Sequence, residues 1–206
     1  MRIRIIFGCL LGFVSLSRAQ NSDIDLLRKI NIERNTDFDG FYKVLTHSMA
    51  PISLAAPVTV LAIGFIQGDT LIKRKGVMIT GSLLLSTVVM VGMKWGIDRD
   101  RPFVTYQEIE NLIPAGSPAF PSGHASMAFS TATSISIAYP KWYVIVPSFL
   151  WASGVGYSRM HLGVHYPSDV LVGAIIGSGS AFVSNLVTRK FYEKRQIKRS
   201  KNVEFL

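Results

Sequence analysis

Residues 76–93 read GVMITGSLLLSTVVMVGM, without one charged side chain. At 1.5 Å per residue such a run makes a helix of roughly 27 Å, close to the ~30 Å hydrocarbon core of a bilayer. Four further uncharged apolar stretches flank it, at 48–67, 125–139, 142–157 and 170–187. The runs 48–67, 76–93 and 170–187 approach the ~20 residues a crossing requires, whereas 125–139 and 142–157 reach it only with flanking residues. The pattern predicts an all-α integral-membrane bundle of about five spanning helices, or six if an N-terminal signal segment is retained. The run 125–139 carries Ser126, Ser130, Thr131, Thr133, Ser134 and Ser136, so it is expected to face other helices instead of lipid. Gly173 and Gly177 give the last run a small-residue spacing suited to close packing. A soluble helical bundle is the competing architecture, because a hydrophobic share of 49% is modest for a membrane protein.

The opening MRIRIIFGCLLGFVSLSRAQ sets Arg2 and Arg4 before an apolar run that ends near Ser17-Arg18-Ala19, the pattern of a secretory signal peptide over 1–19 or of an uncleaved signal anchor. Between 20 and 47, Ile24, Leu26, Leu27, Ile30 and Ile32 recur at helical spacing, which predicts an amphipathic helix packed at the membrane interface. Charge makes up 17% of the 206 residues, against about 25% in soluble domains, which excludes a disordered chain. Cys9 is the only cysteine, so an intrachain disulfide, a cysteine zinc site and a cysteine redox pair are all excluded.

The 22 Lys and Arg outnumber the 13 Asp and Glu, giving a net charge of +9. That excess gathers at Lys73, Arg74 and Lys75, at Lys141, and over a basic tail at 189–206 with Arg189, Lys190, Lys194, Arg195, Lys198, Arg199 and Lys201. With five crossings these three segments fall on one face, and basic segments are retained in the cytoplasm. The N-terminus then lies outside, where a cleaved signal peptide would leave it. The positive charge is therefore a topology and lipid-surface signal, and nucleic acid is not an expected partner.

The opposite face collects three other stretches: KWGIDRDRP at 94–102, PSGH at 121–124 and SRMHLGVHYPSD at 158–169. Lys94, Arg101 and Arg159 are cations near helix ends with few acids beside them, which makes an anion site, and the planar fork of Arg matches phosphate oxygens. Ser122 and Gly123 follow a proline where a helix opens, so backbone N–H groups and the helix dipole point at a bound anion. His165 and Asp169 stand four apart, with Pro167 at a first-turn position. In a turn or helix the carboxylate can accept the ring N–H, leaving the other nitrogen as a nucleophile.

The arrangement K-x6-R-P, P-S-G-H and S-R-x5-H-x3-D is similar to the three-part signature of the type 2 phosphatidic acid phosphatase family, which also includes vanadium haloperoxidases. Lys94, Arg101, Pro102, Pro121, Ser122, Gly123, His124, Ser158, Arg159, His165 and Asp169 match it letter for letter. At about one chance in twenty per letter, such a match arises at random on the order of 10⁻¹⁴ of the time. The resemblance covers 48–188, expected as one phosphatase domain. It implies that His165 attacks phosphorus while Asp169 holds its ring, and that His124 protonates the leaving oxygen and then activates water. It further implies that Lys94, Arg101, Ser122, Gly123 and Arg159 hold the phosphoryl oxygens, with no metal and no other cofactor. Asp98 and Asp100 are expected to pair with Arg99 or tune the site instead of binding magnesium.

The function this implies is hydrolysis of a lipid phosphate or diphosphate at the outer face of a bacterial inner membrane. Candidate substrates are phosphatidic acid, phosphatidylglycerol phosphate, a polyprenyl diphosphate and the phosphates of lipid A; a catalytically silent lipid-binding or scaffolding protein of the same fold is the alternative. A haloperoxidase fits less well, since those enzymes resemble larger soluble proteins. His161, outside the fixed letters, is expected as a loop or rim residue without a catalytic role and His47 at the interface, with Tyr106, Glu108 and Glu110 in a solvated loop.

Overall fold

The computed structural model describes residues 22–116 and 118–204, with side chains as far as Lys194. The signal segment at 1–19 and the side chains of Arg195, Lys198, Arg199 and Lys201 lie outside the described residues. Every regular element among the described residues is helical. Helix α1 covers residues 22–31, and a 3-10 turn at Thr36–Phe38 leads into α2, Asp39–His47. Then follow α3 (Met49–Ile66), α4 (Thr70–Ile97), a single turn α5 (Pro102–Thr105), α6 (Gly123–Ala138), α7 (Trp142–His161) and α8 (Pro167–Glu204).

Local chemistry fixes the ends that matter for the site. Asp69 caps α4, its Oδ1 accepting from the N–H groups of Leu71 at 2.7 Å and Ile72 at 3.1 Å. The other end of α4 stops at Asp98, whose φ of 46° is left-handed; a helix cannot continue through that conformation, so Arg99 to Arg101 leave the axis. Ser122 caps α6, its Oγ accepting from Ala125 N–H, and Pro167 opens α8 at a position where its missing N–H costs nothing.

Helix α6 is the centre of the bundle, packed by α3, α4, α7 and α8. Its Ala125, Ala128 and Ala132 are buried, as are Ser126, Ser130, Thr131, Thr133 and Ser134. The hydroxyls pair outward: Ser86 with Ser126 and Ser82 with Ser130 at 2.6 Å each, Thr131 with Ser53 at 2.9 Å, and Thr133 with Ser178 at 3.1 Å. The hydroxyl-rich run does face other helices. Helix α8 approaches α6 closely because Gly173 and Gly177 lack a Cβ, which would fall on the carbonyl oxygens of Ser122 and Ser126.

Among the described residues, three stretches are long and apolar enough to cross a membrane: Thr36–Ile66, Thr70–Thr105 and Pro167–Lys194. The sequence pattern anticipated five. Helix α6 has 16 residues and α7 ends in Tyr157, Ser158, Arg159, Met160 and His161; enclosure of α6 by its neighbours removes any need for a lipid-compatible surface. The lipid-facing surface is instead carried by the outer helices, with Leu54, Val58 and Ile66 of α3, Val88 of α4, and Leu171, Ile175 and Leu186 of α8 exposed.

The expected single amphipathic helix at 20–47 is two helices with a break at 32–35. Helix α1 buries Ile24 and Leu27 against Ile109 and Tyr166 over the end of the bundle that carries the three motifs. At the opposite end, Lys75 lies 4.2 Å from the Tyr139 ring centre and Arg74 5.6 Å from that of Tyr192. The α3–α4 turn, the α6–α7 turn and the far part of α8 thus meet, as the charge pattern anticipates for three basic segments on one face.

Candidate active site

The end of α4, the start of α6, the end of α7 and the start of α8 converge on a cavity of about 390 Å³. Lys94, Arg101, Gly123, His124, Arg159 and His165 line it, so six of the eight residues singled out from the sequence share one wall. Ser122 lies beneath that wall, fully buried, its N–H donating to the Asp169 carbonyl at 3.0 Å and so tying the start of α6 to α8. Asp169, also fully buried, stands behind His165. Met49, Met90 and Met127 add a flexible apolar part to the lining of the cavity.

His165 Nδ1 sits 3.5 Å from Asp169 Oδ2. This is ion-pair range but longer than a normal hydrogen bond, and Nδ1 is buried with no hydrogen-bond partner. The same Oδ2 accepts from Tyr166 N–H at 2.9 Å. Burial, reinforced by the charges of Arg159, Arg101 and Lys94, holds the His165 imidazole well below its ordinary pKa of 6.5, while the Ala119 backbone acts in the opposite sense. The ring is therefore neutral at pH 7, the state in which a histidine nitrogen can be a nucleophile.

The cations are positioned by the bundle itself. Arg101 Nη1 donates to the Val164 carbonyl at 2.7 Å, and Lys94 Nζ to that of Pro118. Arg159, 4% exposed, gives Nη1 to Thr46 Oγ1 at 2.7 Å and leaves Nε buried without a partner. Buried donors normally find acceptors, and a buried cation left with an unused N–H beside a cavity marks where an anion fits.

Sequence reasoning missed the group behind the wall. Arg99 does not pair with Asp98 or Asp100, both of which are exposed; because α4 ends at Asp98, Arg99 turns back across the mouth of the bundle. Its Nη1 donates to Asp169 Oδ1 at 2.7 Å and to Ser168 Oγ at 2.8 Å, and its Nη2 to Asp23 Oδ2 at 2.9 Å. The guanidinium lies 3.8 Å from the Tyr166 ring centre. Asp23 of α1 also accepts the Ser168 N–H at 2.8 Å. The only sequence signal was an arginine between two fixed letters of the first motif; nothing in the pattern joins Asp23 to it.

Two other expectations are corrected. His161 is neither a loop nor a rim residue: it is 2% exposed in the last turn of α7, its Nε2 lying 2.7 Å from Asp39 Oδ1 and its ring 4.2 Å from that of Tyr42. The loop with Tyr106, Glu108 and Glu110 is anchored instead of merely solvated. Glu108 pairs with Arg28 at 2.7 Å, Glu110 pairs with Arg34, and Tyr106 packs edge-on against Tyr166. His47 is exposed at the end of α2.

A helical bundle with membrane-length apolar helices and two histidines among buried cations defines a membrane phosphohydrolase. The chain belongs to the PAP2 superfamily, whose sequence model matches residues 75–193. It is 28% identical to the undecaprenyl-diphosphatase of Sulfolobus acidocaldarius, over 79% of this chain and 76% of that one. It is 30% identical to the lipid A 4'-phosphatase of Bacteroides thetaiotaomicron over 52% of this chain and 48% of the relative. Among solved structures, LpxE of Aquifex aeolicus superposes with a TM-score of 0.69 at 31% identity, covering 79% of this chain and 93% of that one. A transmembrane PAP2-type phosphatidylglycerolphosphate phosphatase of Bacillus subtilis shares the fold, with a TM-score of 0.71 at 24% identity over 88% and 94% of the two chains. The chain is a multi-pass membrane protein and a phosphatase of this family.

Proposed function

We propose that the protein removes phosphate from a membrane lipid phosphate or diphosphate through a phosphohistidine on His165, at the outer face of a bacterial inner membrane. The observation that carries this reading is the single cavity lined by Lys94, Arg101, His124, Arg159 and His165. The lipid phosphate enters with its apolar part along Met49, Met90 and Met127 and its phosphoryl oxygens among Lys94, Arg101, Arg159 and the N–H groups at the start of α6. Neutral His165 attacks phosphorus, the bond from phosphorus to the lipid oxygen breaks, and that oxygen takes a proton from His124. Water then attacks phosphorus, His124 accepts its proton, and the nitrogen–phosphorus bond breaks to release phosphate and restore His165. Asp169 stabilises the positive charge that builds on the attacking ring, and the fixed cations take up the negative charge shifting onto oxygen.

The substrate class rests on the relatives. An undecaprenyl-diphosphatase aligns over 79% of the chain and a lipid A phosphatase over 52%, so a polyprenyl diphosphate and lipid A phosphates head the candidates, followed by phosphatidylglycerol phosphate and phosphatidic acid. The basic segments are taken as cytoplasmic, which leaves the cavity outside. Phosphate release from these four lipids by the purified protein tests the proposal. Turnover of at least one is expected, competed by vanadate as a five-coordinate mimic of the transferring phosphoryl group and unaffected by EDTA. No release from any of them, with the lipids still bound, would leave a lipid-binding role; loss of activity in EDTA with recovery in magnesium would overturn the mechanism.

A further inference from the structure

At the end of the bundle opposite the histidines, α4, α6 and α8 leave a second cavity of about 280 Å³. Arg74, Lys75 and Arg189 stand on its wall with Asn185 and Thr188, above a floor that includes Met78. None of the ion pairs among the described residues involves these three cations. Asp69, at the start of the same helix, has its Oδ1 turned to the N–H groups of Leu71 and Ile72. Aromatic rings stand beside two of the cations, Tyr139 by Lys75 and Tyr192 by Arg74, which holds their stems without cancelling their charge.

We infer that this cavity binds the phosphate head group of an anionic phospholipid, held by Arg74, Lys75 and Arg189. A cluster retained only for topology needs charge near the helix ends and nothing more. This one frames a recess that adds the hydroxyl of Thr188 and the amide of Asn185, donors for phosphate oxygens, and an apolar lining from Leu71, Met78 and Ile137. Leu71, Leu186 and Val187 lie exposed around it, so acyl chains leaving the recess run down an apolar helix surface. Three cations against one phosphodiester charge select anionic over zwitterionic lipid. This inference does not depend on the phosphatase reading, because it concerns the other end of the bundle.

The test uses the full chain in a neutral detergent, titrated separately with phosphatidylglycerol, phosphatidylcholine and inorganic phosphate, with thermal unfolding as readout. Phosphatidylglycerol is expected to raise the wild-type midpoint by roughly 5–10 °C near saturation. The Arg74→Gln/Arg189→Gln variant should lose at least half of that shift while its midpoint without lipid stays unchanged. The wild-type minus variant difference is read throughout, which cancels phosphate held at the histidine end. If the double variant is less stable without lipid, Lys75→Gln is read in the same way, together with counts of retained lipid by native mass spectrometry. Equal shifts in wild type and variant, an equal response to phosphatidylcholine, or a difference produced as well by inorganic phosphate would each overturn the assignment.

Discussion

At the scale of residues, the site divides into groups legible as letters and groups legible only as neighbours. His165→Ala should abolish turnover, a loss of at least about 10³-fold, and His124→Ala should cost roughly 10²- to 10⁴-fold. Both proteins should keep the wild-type circular dichroism spectrum and detergent elution volume; near-normal phosphate release by either would remove the assigned roles. The second expectation concerns pH. Since burial and three cations lower the pKa of His165, the ring stays unprotonated until pH falls below 6.5. The acid limb that this nucleophile imposes on kcat/KM should therefore lie below 6.5, and titration of the His165 ring at or above pH 7, followed by NMR, would contradict the neutral, buried ring. The third concerns Arg99, which we propose as a positioning residue acting through Asp169. Removing a charge-assisted hydrogen bond worth about 1.5–3 kcal/mol by Arg99→Gln should lower kcat roughly 10- to 100-fold with KM little changed, and Arg99→Lys should recover part of it. A rise in KM at constant kcat would assign Arg99 to substrate binding instead. Fixed spacing made the eight site residues readable. Arg99 and Asp23 were not, because they are 76 positions apart and meet only where α1 crosses the start of α8.

At the scale of elements, hydropathy located the helices well and their ends poorly. The run 76–93 is the middle of an α4 that reaches from Thr70 to Ile97, since an aspartate cap and a left-handed aspartate, not apolarity, decide where it starts and stops. The hydroxyl-rich α6 was legible as a helix-facing element because hydroxyls in a bundle need partners. The break between α1 and α2 was hidden, because the helical spacing of Ile24, Leu27 and Ile32 continues past residue 31 while the chain does not. The small-residue spacing on α8 gives a prediction at this scale. Gly177→Val should force α8 away from the Ser126 carbonyl and destabilise the bundle by roughly 1–3 kcal/mol or more, lowering the thermal midpoint, whereas Gly179→Ala, with open space around its Cα, should leave it unchanged. Equal midpoints for the two variants would show that α6 and α8 do not need their close approach.

At the scale of the whole molecule, charge is divided between the two ends. The ion pairs among the described residues gather at the histidine end, while the opposite end holds Arg74, Lys75 and Arg189 around a recess. The orientation proposed from that division predicts that a cysteine placed at Gln107 in intact cells reacts with a membrane-impermeant maleimide and that one placed after Leu206 does not; the reverse pattern would move the site to the cytoplasm. Between the two ends lies the apolar surface of α3, α4 and α8, on which Ile66 is 85% and Val88 70% exposed. That surface sets the colloidal behaviour of the protein, because water wets it poorly and two copies meeting in buffer would adhere along it. An amphiphile whose assembled thickness falls short of ~30 Å leaves part of the band uncovered. Shelf life and monodispersity should thus follow the chain length of the surfactant more closely than salt or buffer choice.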